Sequence, residues 1–366
     1  MRRAIGVALT ALLVLQLLPD SAQAQTPDLD PYELMYRADS MNERALTTLA
    51  ERLLRQERYE AADSAVRRAL LIEPLYGPAH DVLWRLLIAR DEDLQEALEH
   101  GRLTPEQELV LREARGSRRL SFLIDPIGVG DAAPGFIRLP DGADRAPTAE
   151  ELAELGPDAL LFRGMYLARF RHPGLALLYL EHLLTQLEKL QDSVPTSLEV
   201  PLIADDVRYI VATLHRANGR THLATPMLQE AAAADLGLFM AHVRLADIHE
   251  KNGAWNAAVL ERRRAVDTGP GISTLIYQLG VTLARAGKLA EADSVLTVAE
   301  HQNPLNAQIP RMLGMVRASR ADTAGAIAAL ERFVAIKHSL MVPAQVQAGI
   351  TLQQLRRDSI PPARTE

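Results

Sequence analysis

A beat of 34 residues in the C-terminal half constrains this chain more than anything else in it. Gly219, Gly253 and Gly287 fall at that interval. So do Ala224, Ala258, Ala292 and Ala326, and so do Ala231, Ala265 and Ala299. Pro270 and Pro304 keep it too. A fixed period of this size marks stacked supersecondary units, each too small to bury its own apolar face.

The residues at each beat describe a helical hairpin. In residues 273–306, Ile276, Leu279-Gly280 and Leu283 lie at i, i+3, i+4 and i+7, which puts one apolar stripe on a first helix. Gly280 is small enough for a second helix to come close. Gly287 stands where a helix ends in the left-handed conformation. Ala292 and Ala299 are seven residues apart, two turns of the second helix. Pro304 stops the unit. Residues 239–272 carry Leu245-Ala246, Gly253, Trp255, Ala258, Ala265 and Pro270, and residues 205–238 carry Ala212, Gly219, Ala224, Leu228 and Ala231. In the latter Leu236 replaces the proline. Residues 307–340 carry Leu313-Gly314, Ala326 and Leu330, with Ala321 for the turn glycine and His338 for the proline. A further unit at 43–76 holds Leu46, Leu49-Ala50, Leu53, Tyr59, Ala62, Val66, Ala69 and Pro74, and a degenerate one at 157–190 holds Leu160, Gly164, Leu167, Ala176 and Leu180.

This pattern resembles the tetratricopeptide repeat (TPR) family, with aliphatic residues in place of its aromatics. The expected fold is all-α, a solenoid of helical hairpins. The resemblance implies a concave groove lined by first helices that takes a peptide or extended segment of a partner protein. Its groove places fall on Tyr209, Thr213 and Arg216, on Val243, Asp247 and Glu250, on Tyr277, Val281 and Arg285, and on Arg311 and Met315. Tyr and Arg are residue types that anchor interfaces. The subfamily that clamps chaperone C-termini needs Lys and Asn, and Asp247 and Val281 stand where Asn would be wanted.

The chain opens with Met1-Arg2-Arg3, an apolar run from Ala4 to Leu18, and Ala22-Gln23-Ala24. That is the form of a secretory signal peptide cleaved after Ala24. The mature chain is then expected in the periplasm or outside the cell, with no stable membrane insertion, since nothing later is apolar for long enough to cross a bilayer. Loss of two arginines and one aspartate with the leader takes the net charge from −7 to −8. An acidic balance argues against general nucleic-acid binding. The chain has no cysteine, so neither disulfides nor thiolate chemistry are available.

Six segments follow from these signals. They are the leader 1–24, a helical segment 25–116, an irregular insert 117–147, a helical segment 148–204, a four-unit array 205–340, and a capping helix with a frayed tail 341–366. Helices are expected over 31–40, 43–56, 59–73 and 78–90, and from Pro105 to about Arg115. Thr104 and Gln107 offer one capping box, and Thr148 and Glu151 another. The apolar run Leu120–Ile124 opens an insert rich in Gly, Pro and Asp, in which Phe136-Ile137 reads as a brief strand paired with Ser121–Ile124. Residues 342–356 read as the amphipathic capping helix.

No motif carries catalysis or a cofactor. Gly128-Val129-Gly130-Asp131-Ala132-Ala133 matches a dinucleotide turn, but Pro134-Gly135 and Pro140 deny it the helix it needs. His215 and His249 share one place in successive units, which reads as packing, since metal sites usually take three or four ligands. Asp125, Asp131, Asp141 and Asp144 lack calcium-loop spacing and read as solvated carboxylates. Arg262 occupies a place that is usually apolar, so its stem would cover core while its head reaches water. The reading is a non-enzymatic interaction scaffold. The alternatives are a ligand-binding or enzymatic site at the insert, and end-to-end self-association.

Overall fold

A computed structural model describes residues 42–91, 100–124, 145–169, 172–189, 202–336 and 342–358, with Leu94, Ala97 and Pro126. The signal peptide, the helix expected over 31–40, Phe136-Ile137 and His338 lie outside the described residues. Among the described residues there are sixteen helices and no strand. Helices α1 (Glu43–Arg55) and α2 (Tyr59–Ile72) form the first hairpin, and α3 (Gly77–Arg90) and α4 (Pro105–Ile124) the second. After the short α5 (Ala149–Ala153) come α6 (Pro157–Arg169) with α7 (Pro173–Lys189), and α8 (Ala204–Ala217) with α9 (Thr221–Ala234). The array continues with α10 (Phe239–Lys251) and α11 (Trp255–Thr268), α12 (Ser273–Arg285) and α13 (Leu289–Gln302), then α14 (Gln308–Ser319) and α15 (Thr323–Ala335). Helix α16 (Val342–Asp358) packs on α15 through Ala348 and Leu352, in the place expected of a cap.

Five of the seven hairpins described place a small residue of the first helix sixteen positions before an aliphatic residue of the second. A Cβ on Gly164, Gly280 or Gly314 would meet Leu180, Leu296 or Leu330 at 2.5–2.6 Å, inside any tolerable approach. Ala212 with Leu228, and Ala50 with Val66, hold the same two places and are fully buried. The weakly patterned 157–190 unit is therefore a hairpin of the same construction.

The turn place keeps its backbone even where glycine is missing. Gly219, Gly253 and Gly287 have φ of 75°, 71° and 77°, and Glu57 and Ala321 hold φ of 59° and 61° at the equivalent positions. The hydrogen bond from the N–H of Asp322 to the carbonyl of Arg317, 2.9 Å, closes this turn as Lys288 to Leu283 closes its neighbour at 2.9 Å. Packing of the two helices imposes the left-handed conformation on a residue that disfavours it.

Helix α4 corrects the sequence reading. It does not stop near Arg115, and Leu120–Ile124 is its last turn rather than a strand. Leu111, Ala114, Ser117 and Ser121 are buried at helical spacing, and Phe122 and Leu123 are buried side by side, which a half-buried strand would not allow. Short apolar runs fit either structure until packing decides. Gly116 costs about 1 kcal/mol in the helix interior, and the buried face outweighs it. The boundary drawn at 116/117 thus falls inside a helix. Both capping boxes form: the Thr104 N–H donates to Gln107 Oε1 at 3.1 Å, and the Thr148 N–H to Glu151 Oε2 at 2.8 Å.

Helices α1–α4 share one core, from Leu46 to Ala114, and a second core runs through α6–α11. Only Leu305 of the array packs on the first, while Phe122, Leu123, Leu75 and Leu120 reach into the second.

Ala321→Gly relieves the one non-glycine turn of the array and should stabilise the chain by about 1 kcal/mol. Urea unfolding, with an unchanged slope, measures it.

Candidate functional site

The first helices of the array are joined along one face by a chain of polar side chains. Tyr209 of α8 is fully buried; its hydroxyl donates to the carbonyl of Leu123 at 2.8 Å and accepts from Arg244 Nε of α10 at 3.1 Å. Arg244 Nη2 donates to the carbonyl of Ile124 at 2.8 Å. The last carbonyls of a helix have no partner within it and carry the negative end of its dipole. Here α8 and α10 cap the C-terminus of α4. Arg119, one turn earlier, reaches the first turn of α8 and the end of α9. It donates to both oxygens of Asp206 at 2.7–3.1 Å and to Asp235 at 2.5 Å. Burial pushes the Asp206 carboxyl up against the pull of Arg119, and its oxygens accept from Arg119 and from the Ile203 N–H.

Arg262 continues the chain. It stands sixteen residues after Ala246, where other units place Leu, and its side chain is buried. Its head does not reach water as the sequence reading expected. It donates to Asp247 at 2.7 Å, to Glu250 at 3.0 and 3.2 Å, and to Gln278 at 2.9 Å. Thr282 and Arg285 of α12 also donate to Glu250, at 2.6 and 2.9 Å. Burial would raise the Glu250 carboxyl; the Thr282 hydroxyl and the guanidiniums of Arg262 and Arg285 outweigh it and hold it below the usual range.

These contacts divide the predicted groove residues into two groups. Tyr209, Thr213 and Val243 are buried within the chain, with Thr213 Oγ1 bonded to the Tyr209 carbonyl at 2.9 Å. Asp247 and Glu250 are held by arginines, and Arg216 is half-buried with an unpartnered Nε. Tyr277, Val281, Arg285, Arg311 and Met315, on α12 and α14, form the second group. Among the described residues, Met315 is 52% exposed, Arg311 is exposed with its only bond a long one to Gln308, and Tyr277 is half-buried with no hydrogen bond on its hydroxyl. Burial raises the Tyr277 hydroxyl, and the nearby charges of Arg311 and Arg285 oppose that.

Sequence reasoning missed the junction itself. Besides the α4 cap, the side chain of Thr274 donates to Glu73 at 2.7 Å, and Asn303 Nδ2 to the carbonyl of Ile72 at 3.1 Å. The end of α2 and the turn after it thus sit on the start of α12 and the end of α13. These partners lie up to 231 positions apart, where no periodicity could pair them.

His215 is buried and pairs with Glu181 at 3.1 Å, and no group of three possible ligands for a metal ion occurs among the described residues. Asp125, Asp131, Asp141, Asp144 and the Gly128–Ala133 turn lie outside the described residues. No helix among the described residues is long and apolar enough to cross a membrane.

Repeated hairpins, the 34-residue register of the array, its left-handed turns and the small-to-aliphatic place that most units share decide the fold. It is a TPR-type helical repeat. No family model matches the chain, and no curated protein does. Solved structures that it is similar to include YrrB, described as a TPR protein with an unusual peptide-binding site. The identity is 19%, with 54% of this chain and 92% of that one covered and a TM-score of 0.40. A double mutant of MamA from RS-1 gives 14%, 56%, 97% and 0.40, and MamA from AMB-1 gives 15%, 48%, 89% and 0.37.

Two predictions test this TPR-type face. Arg262→Ala strips Asp247 and Glu250 of their shared cation and should cost about 3 kcal/mol. Arg262→Leu restores the apolar residue of the other units and should cost less; equilibrium unfolding ranks the two. Glu73 is the second test. Its carboxyl is closed in, and burial raises it above the usual range despite bonds from Thr274 and Leu75. A carboxyl raised in the folded state loses stability as pH climbs through its folded value. Glu73→Gln should therefore raise Tm more at pH 8 than at pH 5.

Proposed function

We propose that this chain is an exported, non-catalytic scaffold that holds a segment of a partner protein on the open part of its first-helix face. The reading rests on one observation. Among the described residues, Tyr277, Arg311 and Met315 are groove places on neighbouring first helices without strong internal partners, while Tyr209 and Arg244 of α8 and α10 are engaged with α4. A tyrosine, an arginine and a methionine on adjacent first helices combine apolar area with two hydrogen-bonding heads, the composition of binding anchors. The concave shape of the face follows from the TPR resemblance, and so does the class of partner, a protein or peptide. Export follows from the leader at residues 1–24. The acidic net charge disfavours nucleic acid as the partner.

The mature chain, used as bait on the exported fraction, should recover a partner that Tyr277→Ala/Arg311→Ala loses at least tenfold. Equal recovery by the two baits would remove the groove assignment. The intact mass of the exported chain should correspond to a start at Gln25, and a chain keeping residues 1–24 would refute the leader.

A further inference from the structure

The open end of the first-helix face presents a cation that no carboxylate of the described residues balances. We propose that this end takes an acidic side chain of an extended partner segment, with an apolar side chain two residues away from it. The proposal names the partner chemistry of the face already read as the binding surface, and it rests on that reading.

Most arginines on the first helices of the array are paired. Arg208, Arg244, Arg285 and Arg317 each meet a carboxylate of the chain. Among the described residues Arg216 and Arg311 meet none, and of the two Arg311 is the exposed one. Tyr277 holds the equivalent place on α12, 34 positions earlier, and α12 touches α14. Burial raises the Tyr277 hydroxyl, against the charges of Arg311 and then Arg285, so it stays a phenol and a donor. The Glu73 carboxyl acts on it more weakly, and that carboxyl already accepts from Thr274 and from the Leu75 N–H. Arg285 is engaged by Glu250. The balance at this place is therefore cationic, on a chain whose net charge is −7.

A phenol and a guanidinium both donate. One group accepts from both and cancels the charge as well, and that is a carboxylate, which a guanidinium grips through two parallel N–H groups. A lysine or arginine of the partner would meet like charge, which is costly at an interface. The spacing of the face then sets what stands beside the acid. Val281 and Met315 follow Tyr277 and Arg311 by four residues, about 6 Å along each helix. Met315 offers an exposed apolar surface there. In an extended segment, side chains two residues apart point the same way and stand about 6.6 Å from each other. One such segment lying along α12 and α14 sets its acid against Tyr277 and Arg311 and its apolar residue against Val281 and Met315. The matching motif is Asp or Glu, any residue, then Leu, Met or Phe, in either chain direction.

The probe is a library of random peptides displayed on phage and selected on the full mature chain. Selected sequences should be enriched in Asp or Glu two positions from an apolar residue. A synthetic, C-terminally amidated consensus peptide, followed by fluorescence anisotropy, should lose about tenfold in affinity when its acid becomes the matching amide. Arg311→Gln should abolish the preference for acid, and Arg311→Glu should turn it into a preference for Lys or Arg. Arg220→Glu makes the same change of charge on an exposed residue at the start of α9 and should leave the preference as in wild type. Arg311 makes no strong bond, so its variants should keep the wild-type Tm. An acid preference that survives Arg311→Glu, or an equal loss in Arg220→Glu, overturns the proposal. Binding that requires a free C-terminal carboxylate overturns it too. Consensus peptides without an acid that are still lost by Tyr277→Ala/Arg311→Ala overturn the acidic partner and leave the open face standing. Peptides indifferent to that double variant, or no enriched peptide at all, remove the face and this proposal with it.

Discussion

The whole architecture depends on one close approach, repeated in unit after unit. A residue with little or no side chain on the first helix lets the second helix lay Leu or Val across it sixteen positions later. Where that residue is Gly164, Gly280 or Gly314, the leucine occupies the space a Cβ would need. This contact fixes how tightly each hairpin closes. The turn then has no freedom left, which is why Glu57 and Ala321 accept a left-handed backbone that costs about 1–2 kcal/mol elsewhere. The same contact explains why aromatic residues are dispensable in this chain. Aliphatic side chains packed against a bare helix backbone bury enough surface to hold a pair, at about 25 cal/mol per Å².

Arg262 is the exception that gives the face its polar character. A guanidinium at the aliphatic place cannot pack like Leu296, so it turns along the first helices and gathers Asp247, Glu250 and Gln278. Buried ion pairs often add little net stability, because desolvation offsets the attraction. Removing one partner is a different matter, since a buried charge is then left alone. The network therefore acts less as glue than as a constraint on how α10 and α12 sit together. Arg244 extends it to Tyr209 and to the end of α4. One continuous set of hydrogen bonds thus ties the internal spacing of the array to the docking of the first two hairpins.

The sequence foretold what is local and periodic. Gly287, Ala292 and Leu296 announced a hairpin, and Gly164 with Leu180 announced another despite its poor match to the others. Thr104 with Gln107, and Thr148 with Glu151, marked helix starts that the structure keeps. The pairing of α3 with α4 was hidden, because the long connection between them breaks the 34-residue register. Residues 120–124 were misread for a related reason. A five-residue apolar run has no period of its own, and its helical state follows from burial against α8. The groove places were assigned from family resemblance, which treats every first helix alike. It could not register that Tyr209 would be covered, since Leu123, whose carbonyl takes its hydroxyl, lies 86 positions away in another hairpin.

That covering makes the two ends of the face chemically different. At α8 and α10 the polar groups that meet α4 already have partners: the Tyr209 hydroxyl, the Arg244 guanidinium and both oxygens of Asp206 are engaged. At α12 and α14, among the described residues, the Tyr277 hydroxyl has none, and Arg311 has only a bond of 3.4 Å to Gln308. A ligand that meets the first end must replace hydrogen bonds one for one, and gains affinity only if its geometry is as good as that of α4. A ligand that meets the second end gives up bonds to water alone, so a single well-placed acceptor is worth about 1 kcal/mol or more. On the proposed reading, selectivity at the open end rests on the few residues, Tyr277, Arg311 and Met315, that lack strong partners among the described residues.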